Sequence, residues 1–122
     1  MNATPATTAG TTVSATPFAM PDLAANVAAT PTTPAVEYRR TIQSIVVMSL
    51  ESAETEYCIK YGTQKIFQFK LKLNETFTIE GLRTTQLSSN NVGTKISCET
   101  VSAGKTTGAN VVVSYATITI TG

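Results

Sequence analysis

Apolar and polar positions alternate along most of the chain after residue 36, with the two-residue period of a β-strand. Residues 64–73 show it best. Phe67, Phe69, Leu71 and Leu73 share one face, and Gln68, Lys70 and Lys72 share the other. One apolar and one wet face is the pattern of an antiparallel sheet with one side on a core. Residues 54–61 repeat it, with Tyr57, Ile59 and Tyr61 against Glu56, Cys58 and Lys60. Residues 41–50 differ. Ile45 and Val47 fall on one face, and Val46, Met48 and Leu50 on the other, so this strand is expected to be central or covered on both sides. Phe77 and Ile79 should point inward from a short strand that stops at Gly81. Leu82 and Leu87 fit a connecting strand. Ile96 shares a face with Cys98, and a last strand over 110–119 sets Val111, Val113 and Tyr115 opposite Val112, Ser114 and Ala116. Turns are expected at Gly62-Thr63, at Asn74, over 88–91 and over 103–108. The pattern predicts an all-β fold, a small antiparallel β-sandwich or jelly-roll-like domain over residues 37–122, with six or seven short strands and no helix after Val36.

Residues 1–36 are of another kind. They are mostly Ala, Thr and Pro, they hold all five prolines, and Asp22 is their one charged side chain. Few large apolar groups are present to offset the ~1–2 kcal/mol needed to fix each backbone residue. Proline removes donors and favours extended geometry. The segment is therefore expected to be an extended N-terminal arm that takes a fixed shape only against another surface, such as a neighbouring subunit. Its bulkiest apolar groups, Phe18, Met20 and Leu23, are candidate anchors for pockets on a partner. The alternative is that they fold back onto the domain's own core. Asp22 could cap a short helix over 23–29 that ends before Pro31. Arg39-Arg40, at the junction, fits either an ion pair to an acidic partner or a solvated strand start.

Composition narrows the chemistry. Charged residues make up 14%, well below the usual ~25%, and the formal net charge is +1. A nucleic-acid binder normally carries a basic excess, so no nucleic-acid partner is expected. His is absent and Asp occurs once. That removes the commonest general base and the commonest zinc ligand, so neither a catalytic site, a metal site nor a cofactor is expected. Glu51, Glu54 and Glu56 read as a solvated loop tip. Gly104-Lys105-Thr106 resembles the end of a phosphate loop, but Glu99 stands where the upstream glycine belongs, so it reads as a hairpin turn. Cys58 and Cys98 are either two buried thiols or one disulfide between strands. Tyr38, Tyr57, Tyr61 and Tyr115 would form a sugar-binding platform if exposed, although most fall in strand patterns. The N-terminus lacks the basic and apolar regions of a signal peptide, and the stretch over 45–50 is too short to span a bilayer. No membrane partner is expected, and the expected place is the cytoplasm or a particle assembled there.

The run from Ser44-Ile45-Val46-Val47 through Leu73-Asn74-Glu75-Thr76-Phe77-Thr78-Ile79 to Gly93-Thr94-Lys95-Ile96-Ser97-Cys98 and Asn110-Val111-Val112-Val113 resembles small β-sandwich virion proteins of tailed bacteriophages. The resemblance covers about 75 residues and brings no catalytic residues. It implies a virion structural protein, of the type that decorates or cements capsids, with the major capsid protein or other virion subunits as partners. A neck, tail or fibre-attachment protein, or a carbohydrate- or receptor-binding module, is the alternative. A domain of about 85 residues buries only ~60–65% of its unfolded surface, which favours a homo-oligomer, a trimer or ring, that covers its strand edges.

Overall fold

The computed structural model describes residues 4–15, 18–101 and 107–122. Two antiparallel sheets face one another. The strands in chain order are β1 (Thr4–Ala15), β2 (Phe18–Ala19), β3 (Val36–Ser49), β4 (Thr55–Tyr61), β5 (Gln64–Leu71), β6 (Thr76–Glu80), β7 (Thr85–Leu87), β8 (Ile96–Thr100) and β9 (Ala109–Thr121). The larger sheet runs β1-β9-β3-β6, with β7 also paired to β3. The smaller sheet runs β2-β8-β4-β5. The protein is thus an all-β sandwich.

β3 is the spine, rich in the β-branched residues that suit a pleated surface. It pairs with β9 from Val36↔Thr121 to Ser49↔Ala109. Its other edge is shared by β6 and β7. The expected central strand is therefore present. Its register shifts between Ile42 and Ser44, which makes Gln43 the extra residue of a bulge. Since a slip of one residue exchanges the faces, the inward set changes from Arg40 and Ile42 to Ile45, Val47 and Ser49, all of them buried.

The core lies between the sheets. Ile42, Ile45, Val47, Val111 and Val113 come from the larger sheet, and Tyr57, Ile59, Leu71, Ile96 and Cys98 from the smaller. Burying each large aliphatic side chain contributes about 1.5–3 kcal/mol. At one side the seam between β5 and β6 is closed by aromatic rings. Phe69 stacks on Phe77 with centroids 3.9 Å apart and planes 10° apart, and Phe67 and Tyr57 flank the pair. The inward placing of Phe67, Phe69, Phe77 and Ile79 follows the alternation, whereas Leu73 lies past the end of β5 and is exposed. Leu87 falls in β7, and Leu82 in the irregular link before it.

Gly62 makes the turn between β4 and β5 with φ +63°. A Cβ there would stand 2.4 Å from the carbonyl oxygen of Gly93. Only glycine serves both the left-handed backbone and the close approach.

Three expectations for the N-terminal region change. The boundary after residue 36 does not separate two bodies. β1 runs along β9 from Thr4↔Thr121 to Ala15↔Asn110, β2 joins β8, and Val27 bridges to Val36. The helix over 23–29 does not form, because its starting groups are engaged elsewhere. The Leu23 amide donates to Asn91 Oδ1 (3.0 Å), and the Asp22 carboxylate pairs with Lys95 Nζ (2.5 Å). Phe18, Met20 and Leu23, expected as anchors on a partner, are buried in this chain, and Phe18 and Met20 belong to its core. The hairpin loop expected over 103–108 lies mostly outside the described residues, as does Gly104-Lys105-Thr106.

Ile45→Ala should cost about 2–5 kcal/mol, as a cavity in the core does. Val46→Ala, on the half-buried outer face of the same strand, should cost well under half of that. Urea unfolding of the two variants checks the assignment of faces.

Candidate functional site: the clasp on the N-terminal segment

The most developed polar arrangement among the described residues holds residues 20–24 to the sandwich. It begins with alternation along β3. Arg39 points outward, where its Nε donates to Glu37 Oε1 (2.9 Å) with both side chains nearly half exposed. Such a pair contributes at most about 1 kcal/mol. Arg40 points inward and is 8% exposed. The basic doublet is thus divided between two faces. Arg40 is neither a solvated strand start nor a free cation for an acidic partner.

Opposite Arg40 in the register stands Gln86 of β7, itself 1% exposed. Arg40 Nη1 donates to the Pro21 carbonyl (2.7 Å) and to Gln86 Oε1 (3.3 Å). The guanidinium lies 5.0 Å from the centre of the Tyr115 ring. Gln86 Nε2 donates to the same Pro21 carbonyl (3.1 Å) and to Asn91 Oδ1 (3.0 Å). Asn91 Nδ2 in turn donates to the carbonyls of Leu23 and Ser88 (3.3 Å each). Ser88 Oγ donates to the Ala24 carbonyl. At the rim, Met20 N–H donates to the Ile96 carbonyl (2.9 Å). The backbone of the segment, which has no sheet partner over residues 21–26, therefore finds its hydrogen bonds on side chains.

No carboxylate pairs with Arg40 among the described residues. Its charge is met by carbonyl dipoles and the face of Tyr115, the latter a cation–π contact. Burial pulls its pKa below the ordinary guanidinium range, and Tyr115 acts in the opposite direction. The group remains protonated at neutral pH.

A second polar cluster holds the start of β9. Glu51, expected at a solvated loop tip, is 8% exposed. Its Oε1 accepts from the amides of Thr107 (2.6 Å) and Gly108 (2.7 Å). Tyr57 Oη donates to the Gly108 carbonyl (3.0 Å) and shares a hydrogen bond with Ser49 Oγ (2.7 Å). Glu54 is exposed and fits the expectation. The tyrosines form no exposed platform. Tyr57 is fully buried, Tyr61 donates to the Thr85 carbonyl (2.9 Å), and Tyr115 lies beside Arg40.

Both cysteines are buried free thiols. Cys98 is opposite Ile59 in the register and faces the core, whereas Cys58 is opposite Glu99 on the outer face. Side chains on opposite faces of a sheet cannot join, so the disulfide reading is removed. Burial, first of all, pushes the Cys98 thiol up to about 12, and the neighbouring Cys58 and Glu99 add to this.

Among the described residues, no three acidic, cysteine or histidine side chains gather to hold a metal. The described residues also line open clefts on the surface. One of about 420 Å³ is lined by Thr41, Gln43, Gly81, Leu82 and Arg83. The site residues that sequence reasoning missed are Gln86 and Asn91. Their signal was weak: two amides near a turn, whose partners lie 65 and 68 positions earlier. No known protein family matches the chain, and neither does any curated protein sequence.

Asn91→Ala should cost about 1–3 kcal/mol, since it strands the partly buried amide and carbonyl of Leu23. Amide exchange should show Leu23 losing protection while Ile45 keeps its own. For the thiols, neither cysteine should react with an aromatic disulfide reagent in the native protein at pH 8, and both should react in urea. The raised Cys98 pKa carries a definite sign. Its contribution to stability is complete below the ordinary thiol value of 9.0 and declines as pH rises toward about 12. Cys98→Ala should flatten that part of the pH–stability curve.

Proposed function

We propose that this protein is a structural subunit of a tailed-bacteriophage particle, of the capsid decoration or cement type, which links to neighbouring subunits through its N-terminal strand. The resemblance in the strand pattern supports the particle. β1 supports the manner of linking. Its twelve residues are Thr, Pro, Ala, Gly, Val and Ser, with Val13 the largest, yet they run along nearly the whole of β9. A strand of that composition draws its affinity from the backbone ladder rather than from side-chain burial, and ladders are how extended segments add to sheet edges.

The root of the arm and its outer strand have separate tasks in this reading. Phe18, Met20 and Leu23, with Arg40 and the two amides, keep the segment attached to its own sandwich. Beyond that root, residues 4–15 extend roughly 40 Å as a strand, long enough to reach an adjoining subunit. Of the five residues expected to meet a partner, Arg39 alone remains at the surface.

The test is a truncation that stops short of the root. Removal of residues 1–36 would also take Phe18 and Met20 out of the core, at about 2–5 kcal/mol each, and would confuse loss of folding with loss of binding. A variant lacking residues 1–15 should unfold cooperatively in urea yet enter particles at least tenfold less when produced with the other particle proteins. Normal incorporation of that variant would overturn the proposal.

A further inference from the structure

We infer that β1 is an exchangeable strand. In the assembled protein it occupies the β9 edge of a second copy of this chain, in the register it makes with its own β9. This rests on the reading of the N-terminal strand as the linking element, and it names the partner.

Three observations carry it. The first is the hinge. β1 ends at Ala15 in the larger sheet, and β2 begins at Phe18 in the smaller one. From Ala15 to Phe18 the chain has three Cα–Cα steps, about 11 Å at full stretch. Facing sheets lie about 10 Å apart. Only two residues separate the strands in sequence, and the second of them is Pro17. Short connections between paired strands favour exchange between identical chains.

The second is the energetic balance of β1. A net hydrogen bond contributes about 0.5–1.5 kcal/mol. Ordering a residue costs about 1–2 kcal/mol. With no side chain larger than valine to add burial, the strand sits near balance on its own edge. Exchange restores every backbone pair with the neighbour's β9, so no contact is lost in the exchanged state.

The third is the fixed root. Phe18 pairs with Cys98 and Ala19 with Ser97, while the Arg40–Gln86–Asn91 clasp holds Pro21 and Leu23. Everything from Phe18 onward stays with its own sandwich when β1 leaves. The exchange therefore requires one hinge and no unfolding of the core.

A pair of single-cysteine additions tests this directly. Val13 is opposite Val112 in the register. Val13→Cys and Val112→Cys are placed in separate chains with different affinity tags, co-expressed, purified through both tags and oxidised mildly. The expected result is a covalent two-chain species joining one variant to the other. An off-register control, Thr7→Cys with Val112→Cys, should give at least tenfold less. A single chain carrying both V13C and V112C shows whether the register holds at all. An internal link in that chain without any two-chain product would overturn the exchange. Failure of the double variant to link in either way would overturn it too, because the β1–β9 pairing would then be absent. Equal yields from the on- and off-register pairs would reduce the product to collision and sink the proposal. The measurement needs no particle. A positive link together with normal particle entry of the truncated chain would leave the exchange standing and dismiss the particle role.

Discussion

The antiparallel ladder between β3 and β9 is the constraint on which the rest of the structure depends. It joins the middle of the chain to its final strand over thirteen residues of β9. Every other strand of the larger sheet attaches to one of those two, β1 to β9 and β6 and β7 to β3. The ladder also supplies the lower half of the core through Ile45, Val47, Val111 and Val113. The bulge at Gln43 divides its work. On one side of it the inward residues are aliphatic and close the sandwich. On the other, Arg40 and its neighbour Tyr115 turn inward and receive the N-terminal segment. One ladder thus positions both the core and the clasp.

The regular strands were legible because alternation is a local property. Phe67, Phe69 and Leu71 declare their face within six residues of sequence, and the structure follows them. The clasp was not legible, because its physics is long-range. Nothing near Arg40 in sequence states that its guanidinium will meet the carbonyl of Pro21, or that the Asn91 side chain will bond both the amide and the carbonyl of Leu23. The bulge was equally silent, since Gln43 differs little from any polar residue in a strand. Cys58 illustrates a third limit. Its alternation placed it on the face opposite Tyr57 and Ile59, and it is there, beside the Glu99 carboxylate, yet it is fully buried.

The N-terminal region shows how a composition argument can be sound and still incomplete. Residues 1–36 hold too little apolar volume to build a core of their own. That does not decide whose core their few large side chains enter. Phe18 and Met20 enter the one that follows them in the same chain, and the break near residue 36 marks a change of chemistry without a change of body. β1, by contrast, is matched to β9 through its backbone register from Thr4↔Thr121 to Ala15↔Asn110.

The contact between Gly62 and the Gly93 carbonyl links two places that look unrelated. Gly93 follows the turn that bears Asn91, and Gly62 closes the hairpin of the smaller sheet. A methyl group at position 62 would press on the backbone two residues past the amide that grips Leu23. Sequence drift at that hairpin is therefore restrained by the turn that also carries Asn91, the side chain that holds Leu23.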